Sequence, residues 1–306
     1  MLHSNPVLGR LGFADDDRVA IIHTDDIGMC LASVQAFSEL WDFGLISSGA
    51  VMMPCPWALK AVAFAREHPQ ADLGVHITLT SEWKTYRWGP ISTRDPQSGM
   101  IDEEGYFYHL TQPAREHGNP AYVEQEIETQ VERAMALGLK PTHMDTHMGV
   151  VASPKFMLGY LRVAIRHSLP PMIFRMDEAG WMATGMDAPT AAMAMGVTAQ
   201  MEANGLPLLD HIVGLKLDQP DGRMEQAKAA FSALEPGITH FIIHPSTLTA
   251  ELSEITPDWR ARVADYETFK TEELRQYVDS MGVKVIGYRQ IQALMPGPGL
   301  LAALAG

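Results

Sequence analysis

Two adjacent carboxylates follow a short apolar run near the beginning of the chain. Residues 21–30 read IIHTDDIGMC, so Asp25 and Asp26 stand side by side directly after a predicted buried strand. Neighbouring negative charges repel each other, and their burial is costly unless a positive group lies close by. The pair therefore predicts a bound cation. The same two residues also fit a helix cap followed by an acid in the first helical turn.

Other side chains that could bind a metal or transfer protons also follow apolar runs. In sequence order they are His76, His143, Asp145, His147, Arg175, Asp177 and His244. A single histidine after a strand is more often a hydrogen-bonded core residue than a ligand. The segment HMDTH, residues 143–147, would make a poor piece of core, and it favours a site.

One carboxylate and two imidazoles can hold a divalent cation and leave coordination positions for water and substrate. The cation lowers the pKa of water to about 7 and polarises a carbonyl oxygen. Each of the paired aspartates then has its own task, because one binds the cation and the other takes a proton. This combination predicts hydrolytic chemistry.

Predicted strands and helices alternate along the chain. The strands cover residues 18–23, 46–53, 72–79, 141–145, 171–177, 208–213, 238–244 and 283–288. The helices cover residues 31–43, 57–67, 120–137, 154–167, 222–234 and 257–280. This alternation predicts parallel strands with crossover helices, and the consecutive apolar residues within strands predict cover on both faces.

The number of strand–helix units predicts an α/β fold. Within that class it favours an irregular (β/α) barrel that is TIM-barrel-like. No GxGxxG motif follows the first strand, so an open dinucleotide-binding sheet loses its main support. Ligands of parallel α/β folds bind at the carboxyl ends of the strands, which is where the polar residues fall. We expect a single domain over residues 1–306.

The composition narrows the classes of partner. The chain has 306 residues, of which 46% are hydrophobic and 20% charged, and its formal net charge is −14. This charge argues against nucleic acid and anionic membranes as partners. The sequence has no run of 18 apolar residues and no signal-peptide pattern, and its two cysteines fit a reducing compartment, so we expect a cytoplasmic protein. Homo-oligomerisation stays open.

Five stretches together resemble the YdjC-like (ChbG) carbohydrate deacetylase family. They are TDDIGMC, LGVHITLT, PTHMDTHMG, FRMDEA and FIIHPS, in that order, and the resemblance spans roughly residues 18–290. It implies a (β/α)-barrel-like fold and removal of acetyl groups from N-acetylated sugars with one divalent metal ion, zinc or magnesium. A small N-acetylated amino sugar or short oligosaccharide is then the expected substrate.

The resemblance also implies a set of metal ligands, namely Asp26, His76 and His147. The family motif commonly carries a further histidine two residues after the last of these, where this chain has Gly149. That departure leaves the ligands intact and bears on the substrate. A non-sugar amide or ester, or a barrel that binds a metal or sugar without catalysis, therefore remains an alternative.

Four further residues receive catalytic roles from the same resemblance. Asp25 is implied to be the general base that activates water, and His244 to be the group that protonates the leaving amine. Arg175 and Asp145 are implied to orient Asp25 or one of the histidines. Retention of Asp25 and His244 speaks against a merely metal-binding protein, since metal binding needs neither.

Two segments have both a structural and a functional interpretation. Residues 81–118 form a long stretch with six tryptophans, tyrosines and phenylalanines, either a hydrophobic cover or a lid whose rings stack on a sugar. Residues 176–201 are rich in methionine, and a helix with methionines in the core is favoured over an adaptable apolar wall beside the site. The apolar residues 294–306 are expected to be disordered or docked on another subunit.

Overall fold

The computed structural model describes residues 3–297. Its parallel strands within that range are β1 (Arg18–Ile27), β2 (Ser48–Val51), β3 (Leu73–Ile77), β4 (Met144–Thr146), β5 (His211–Gly214), β6 (Gly237–Ile243) and β7 (Lys284–Val285). Its α-helices are α1 (Pro6–Leu11), α2 (Leu31–Phe43), α3 (Ala58–Glu67), α4 (Thr111–His117), α5 (Pro120–Ala136), α6 (Pro154–Arg166), α7 (Glu178–Ala183), α8 (Ala188–Ala203), α9 (Arg223–Ser232), α10 (Ala250–Ile255), α11 (Trp259–Phe269), α12 (Glu272–Ser280) and α13 (Tyr288–Gln292). Short 3₁₀ helices cover Pro96–Ser98 and His147–Ala152.

The strands form one curled sheet in the order β4-β3-β2-β1-β6-β5, with β7 paired to β1. Isolated bridges join Met144 to Pro171 and Phe174 to Leu209. Through them, the segment around residues 171–174 connects β4 to the residues just before β5. The result is the irregular (β/α) barrel that the sequence predicts. Among the described helices, none is both long and apolar enough to cross a membrane.

The predicted strand at residues 171–177 is wrong as a regular strand. It makes only the two isolated bridges at Pro171 and Phe174. Pro170 and Pro171 have no N–H group, so they cannot donate to a continuous ladder. The segment fills the gap between β4 and β5 with a few hydrogen bonds, and the barrel is irregular at this point.

Two predicted elements near the carboxyl end also differ from the structure. The predicted helix over residues 257–280 is two helices, because the side chain of Thr271 caps α12 by accepting from the backbone N–H of Leu274. The predicted strand at 283–288 is reduced to the two residues of β7, followed by α13. Of the segment 294–306, residues 298–306 lie outside the described range.

The interior of the barrel is apolar at one end and polar at the other. Along β1 every second residue belongs to one column, and Val19 and Ile21 pack in an apolar cluster with residues of α1 and α13. The next two residues of the same column are His23 and Asp25, both buried. The helices therefore close the amino-terminal end of the barrel, and the polar groups lie towards its carboxyl-terminal rim.

The methionine-rich segment is helical, as expected, but most of its methionines are not core residues. Met193 in α8 is 72% exposed, and Met182 in α7 is also exposed. Only Met201 at the end of α8 is fully buried among them. The prediction of a helix packed with core methionines is therefore wrong, because most methionine side chains of this segment are at least partly exposed to solvent.

Candidate metal and catalytic site

An irregularity at the end of β1 brings both adjacent carboxylates into the site. The pairing of β1 with β2 shifts register between Thr24 and Ile27, and Asp26 has a positive φ of 60°. Aspartate tolerates this left-handed conformation better than most residues, at a cost on the order of 1–3 kcal/mol. In a regular strand Asp25 and Asp26 would point to opposite faces. The kink lets both face the same pocket.

Three predicted ligands converge on one point. The Oδ1 atom of Asp26 lies 3.0 Å from Nδ1 of His147 and 3.5 Å from Nε2 of His76. All three side chains are buried, and a set of their ligand atoms lies within 4.8 Å of one another, so the group could hold a metal ion. Across residues 3–297, Oδ1 of Asp26 and Nε2 of His76 are among the buried polar atoms that have no hydrogen-bond partner.

The remaining polar atoms of these two histidines are held by carboxylates. Nδ1 of His76 lies 2.8 Å from Oδ1 of Asp145, and Nε2 of His147 lies 3.0 Å from Oε2 of Glu82. Carboxylate partners of this kind fix the ring orientation of metal-binding histidines and the nitrogen that carries the proton. The two unpaired atoms of the group, Oδ1 of Asp26 and Nε2 of His76, lie 3.5 Å apart, close enough to bind one cation together.

The second oxygen of Asp26 is bound by an arginine. Nη1 of Arg262 in α11 donates to Oδ2 of Asp26 at 2.7 Å, and both side chains are buried. Burial by itself raises the pKa of Asp26, but His147 and Arg262 outweigh it and hold that pKa well below its usual range. Asp26 is thus an ionised carboxylate with one oxygen left for a ligand.

The histidines of the group have raised pKa values. Burial lowers the pKa of His147, but Glu82 and Asp26 outweigh it and raise the pKa to about 9. Burial likewise opposes the charged form of His76, while Asp145 and other carboxylates raise its pKa well above the usual range. Without a cation both rings therefore carry an extra proton near neutral pH. A bound cation would take the place of that positive charge.

Asp25 lies beside this group with one oxygen directed at it. Its Oδ2 atom is 3.8 Å from Nε2 of His76 and 3.8 Å from Nε2 of His244, which follows β6. Its Oδ1 atom is 2.8 Å from Nδ1 of His23. The backbone N–H of His244 donates to Oδ2 of Asp265 at 2.9 Å, which fixes that residue at the rim. One carboxylate oxygen thus stands between two imidazoles.

The long segment 81–118 closes one side of the site. The indole of Trp88 is buried, donates to the carbonyl of Thr80 at 2.7 Å, and lies 6.4 Å from the ring of His147 between centroids. Trp83 and Tyr86 pack edge-to-face against Trp88. These contacts are those of a hydrophobic cover, and Glu82 at its start reaches the site directly.

Comparison with known proteins agrees with the motifs. The profile of the family described as YdjC-like protein matches residues 19–280. The chain belongs to the YdjC-like family. A carbohydrate deacetylase of Thermus thermophilus is 29% identical over 88% of this chain and 92% of its own length. A carbohydrate deacetylase of Thermoanaerobacter pseudethanolicus is 23% identical over 88% of this chain and 97% of its own length.

One solved structure is also similar to this YdjC-like chain. An Enterococcus faecalis protein named for cellobiose-phosphate cleavage has a TM-score of 0.71 and 20% identity, covering 90% of this chain and 99% of that protein. At this identity the likeness shows a shared fold.

Arg175 is not brought to the site of this YdjC-like protein. Its guanidinium pairs with Glu202 at 2.5 Å and with Asp210 at 2.9 Å, and it donates to the carbonyl of His3 at 3.0 Å. Among the described contacts it makes no hydrogen bond to Asp25. The side chain at hydrogen-bond distance from Oδ1 of Asp25 is the imidazole of His23.

Three functional candidates of this YdjC-like chain escaped the sequence analysis. His23 is a polar residue inside an apolar strand, in the same inward column as Asp25, and that spacing could have revealed it. Glu82 lies just after the stretch LGVHITLT, but nothing in its surroundings marks it. Arg262 lies 236 residues after Asp26 on a helix, where only the folded chain shows its role.

Proposed function

We propose that this protein is a metal-dependent carbohydrate deacetylase that hydrolyses the acetamido group of an N-acetylated amino sugar or short oligosaccharide. The shared description of its relatives as carbohydrate deacetylases supports the reaction class. The group formed by Asp26, His76 and His147 supports the dependence on a divalent cation.

We assign the cation to Oδ1 of Asp26, Nε2 of His76 and Nδ1 of His147. Two imidazoles and a carboxylate are a ligand set of catalytic zinc sites, whereas magnesium prefers oxygen ligands, so zinc is favoured over magnesium. When bound, the cation supplies Lewis acidity that polarises the acetamido carbonyl. Asp145 and Glu82 orient the two rings, and Arg262 keeps the second oxygen of Asp26 occupied.

Two side chains move protons in the proposed reaction. Oδ2 of Asp25 accepts a proton from the water molecule whose oxygen forms the new bond to the acetamido carbon. Nε2 of His244 then donates a proton to the sugar nitrogen as the carbon–nitrogen bond breaks. Acetate and a free amine result. The supporting observation is that Oδ2 of Asp25 lies 3.8 Å from Nε2 of both His76 and His244, beside the proposed cation and beside the proposed acid.

Acetate release from a panel of N-acetylated substrates tests the proposal. The panel contains N-acetyl monosaccharides, short N-acetylated oligosaccharides and an N-acetyl amino acid, each with protein that is untreated, chelator-treated, or reloaded with zinc or magnesium. We expect release from a sugar that is lost with chelator and restored by one metal. Release that persists after chelation contradicts the metal dependence, and release from the amino acid alone contradicts the sugar substrate.

A further inference from the structure

A continuous row of buried polar side chains runs through the barrel beneath the site. It begins at Asp25 at the carboxyl end of β1 and ends at Asp72, directly before β3. Its members are Asp25, His23, His143, Thr142 and Asp72, and each is less than one-tenth exposed. The proposed function uses the first of them and leaves the other four unexplained.

Successive members of this row lie at hydrogen-bond distance. Oδ1 of Asp25 is 2.8 Å from Nδ1 of His23, and Nε2 of His23 is 2.9 Å from Nε2 of His143. Nδ1 of His143 is 3.0 Å from Oγ1 of Thr142, which is 2.5 Å from Oδ1 of Asp72. Both ring nitrogens of His23 and of His143 are therefore bound to other side chains. Neither nitrogen of His23 is free to bind a cation.

Two glycines leave space for the side chains of this row. A Cβ atom at Gly74 in β3 would lie 2.5 Å from the ring of His143, and a Cβ atom at Gly287 would lie 2.3 Å from Oδ2 of Asp72. On its other face the His143 ring stacks on Tyr288, with 3.9 Å between centroids. Two glycines and an aromatic ring thus hold the buried imidazole and the buried carboxyl in place.

Proton counting limits the states that this row can adopt. Four hydrogen bonds join its members, and each needs one proton. If both carboxylates are ionised and both rings are neutral, Thr142, His143 and His23 supply one proton each. Three protons cannot fill four hydrogen bonds, so in one of them two acceptor atoms would face each other without a proton between them. A buried link without a proton leaves polar groups unsatisfied. The row must hold one additional proton.

Asp72 is the member best placed to carry that proton. Across residues 3–297 its Oδ2 atom accepts a hydrogen bond from one backbone N–H, that of Arg289 at 2.7 Å, and from no side chain. Burial raises its pKa, and hydrogen bonds from Thr142, the backbone of Arg289 and Ser48, together with the charge of Arg289, oppose this only partly. Burial and the neighbouring His23 instead lower the pKa of His143, which disfavours a charged ring there.

We propose that Asp72 is a protonated carboxyl group whose O–H, through Thr142 and His143, fixes His23 as the Nδ1–H form that donates to Asp25. This inference rests on the proposed function, because it makes His23, His143, Thr142 and Asp72 positioning residues for the proposed base. Asp72 donates to Thr142, Thr142 to Nδ1 of His143, Nε2–H of His143 to Nε2 of His23, and Nδ1–H of His23 to Oδ1 of Asp25. The bond directs the other oxygen, Oδ2, at the substrate side.

Two spectroscopic measurements on the resting protein test the proton positions without any substrate. The infrared difference spectrum between wild type and Asp72→Asn should contain the carbonyl stretch of a protonated carboxyl group, shifted in D₂O. Nitrogen-15 NMR of the ring nitrogens should find neutral His143 protonated at Nε2 and neutral His23 protonated at Nδ1. Absence of the infrared band overturns the proposal. A doubly protonated His23 also overturns it, because Oδ2 of Asp145 lies 3.5 Å from its Nε2 and could accept the second proton.

Kinetics test the positioning role. Asp72→Leu should lower kcat about 10- to 100-fold with KM little changed, as for other partners that orient a reacting group. Asp72→Asn should restore most of that loss, because its amide N–H can donate to Thr142 as the carboxyl O–H does. Equal kcat in wild type and Asp72→Leu overturns the positioning role. If the protein releases no acetate from any substrate, the proposed function fails, and the spectra still decide the state of Asp72.

Discussion

The carboxylate of Glu82 lies 3.0 Å from Nε2 of His147, on the opposite side of that ring from Asp26. Glu82 is the second residue of the segment 81–118 that covers the site, whereas His147 follows β4 at the rim. The contact therefore joins the cover to a proposed metal ligand. It also sets which ring nitrogen of His147 carries a proton and which faces the cation.

Glu82→Gln should weaken metal binding. The substitution keeps the shape of the side chain but removes the negative charge that supports Nε2–H of His147, so affinity for a divalent cation should fall about 10- to 100-fold. Metal titration of the chelator-treated protein measures this. Glu103→Gln is a matched control, since Glu103 lies in the same segment and is exposed. Equal affinities in Glu82→Gln and in the control would refute the orienting role.

Metal binding should release protons and strengthen as the pH rises. The pKa of His147 is raised to about 9 in the absence of a cation, and that of His76 is also raised. At pH 7 both rings must lose a proton before they can bind, so affinity should increase at least about tenfold per pH unit between pH 6 and 8. Calorimetry in buffers of different ionisation enthalpy measures the protons released. A heat that does not depend on the buffer would contradict this arrangement.

The close approach of His143 to β3 predicts the effect of a single methyl group. Gly74→Ala would place a Cβ atom 2.5 Å from the His143 ring in a fully packed interior, and it should lower the free energy of unfolding by about 1–3 kcal/mol or more. Gly196→Ala is the control, because Gly196 lies in α8 with no atom within 4 Å of its added Cβ. That control should raise stability by up to about 1 kcal/mol. Urea denaturation of both variants checks the contrast, and equal midpoints would show that the interior can yield.

Local patterns predict much of the fold. The helices α2, α5 and α6 follow the periodicity of their apolar residues closely, and the buried strands β1, β3 and β6 follow continuous apolar runs. The apolar composition of residues 171–177 predicts a strand, and that prediction is wrong because Pro170 and Pro171 interrupt the ladder and leave only isolated bridges. A strand is defined by the hydrogen bonds that it makes with a neighbouring strand, and a local sequence pattern does not contain them.

The sequence also predicts only part of the candidate site, because its pattern does not contain contacts between distant elements. Asp25, Asp26 and His147 stand at strand ends, so the rule for parallel α/β folds was enough to place them together. Arg175 also follows an apolar run, yet the chain turns its guanidinium to Glu202 and Asp210. Partners that arrive from distant helices and loops depend on tertiary packing, and no local signal specifies them.

His244→Gln should reduce kcat by about 10²–10⁴ on a sugar amide, because its imidazole is the proposed donor to the leaving nitrogen. An ester of a good leaving group needs no such proton, so the loss on an acetylated phenol should be much smaller. The ratio of the two losses measures the acid role. A similar loss on both substrates would indicate that His244 acts in binding or structure.

The central claim is that the two adjacent carboxylates have different tasks, and kcat of Asp25→Asn, measured together with metal content, tests it most directly. Asp25→Asn keeps the shape and the contact with His23 but removes the basic oxygen, so it should bind metal normally while kcat falls about 10²–10⁴-fold. Asp26→Asn, assayed beside it, should lose metal and activity together. If Asp25→Asn retains more than about one-tenth of the wild-type kcat, a far smaller loss than removal of a general base causes, Asp25 is not the base and the mechanism proposed for this site is contradicted.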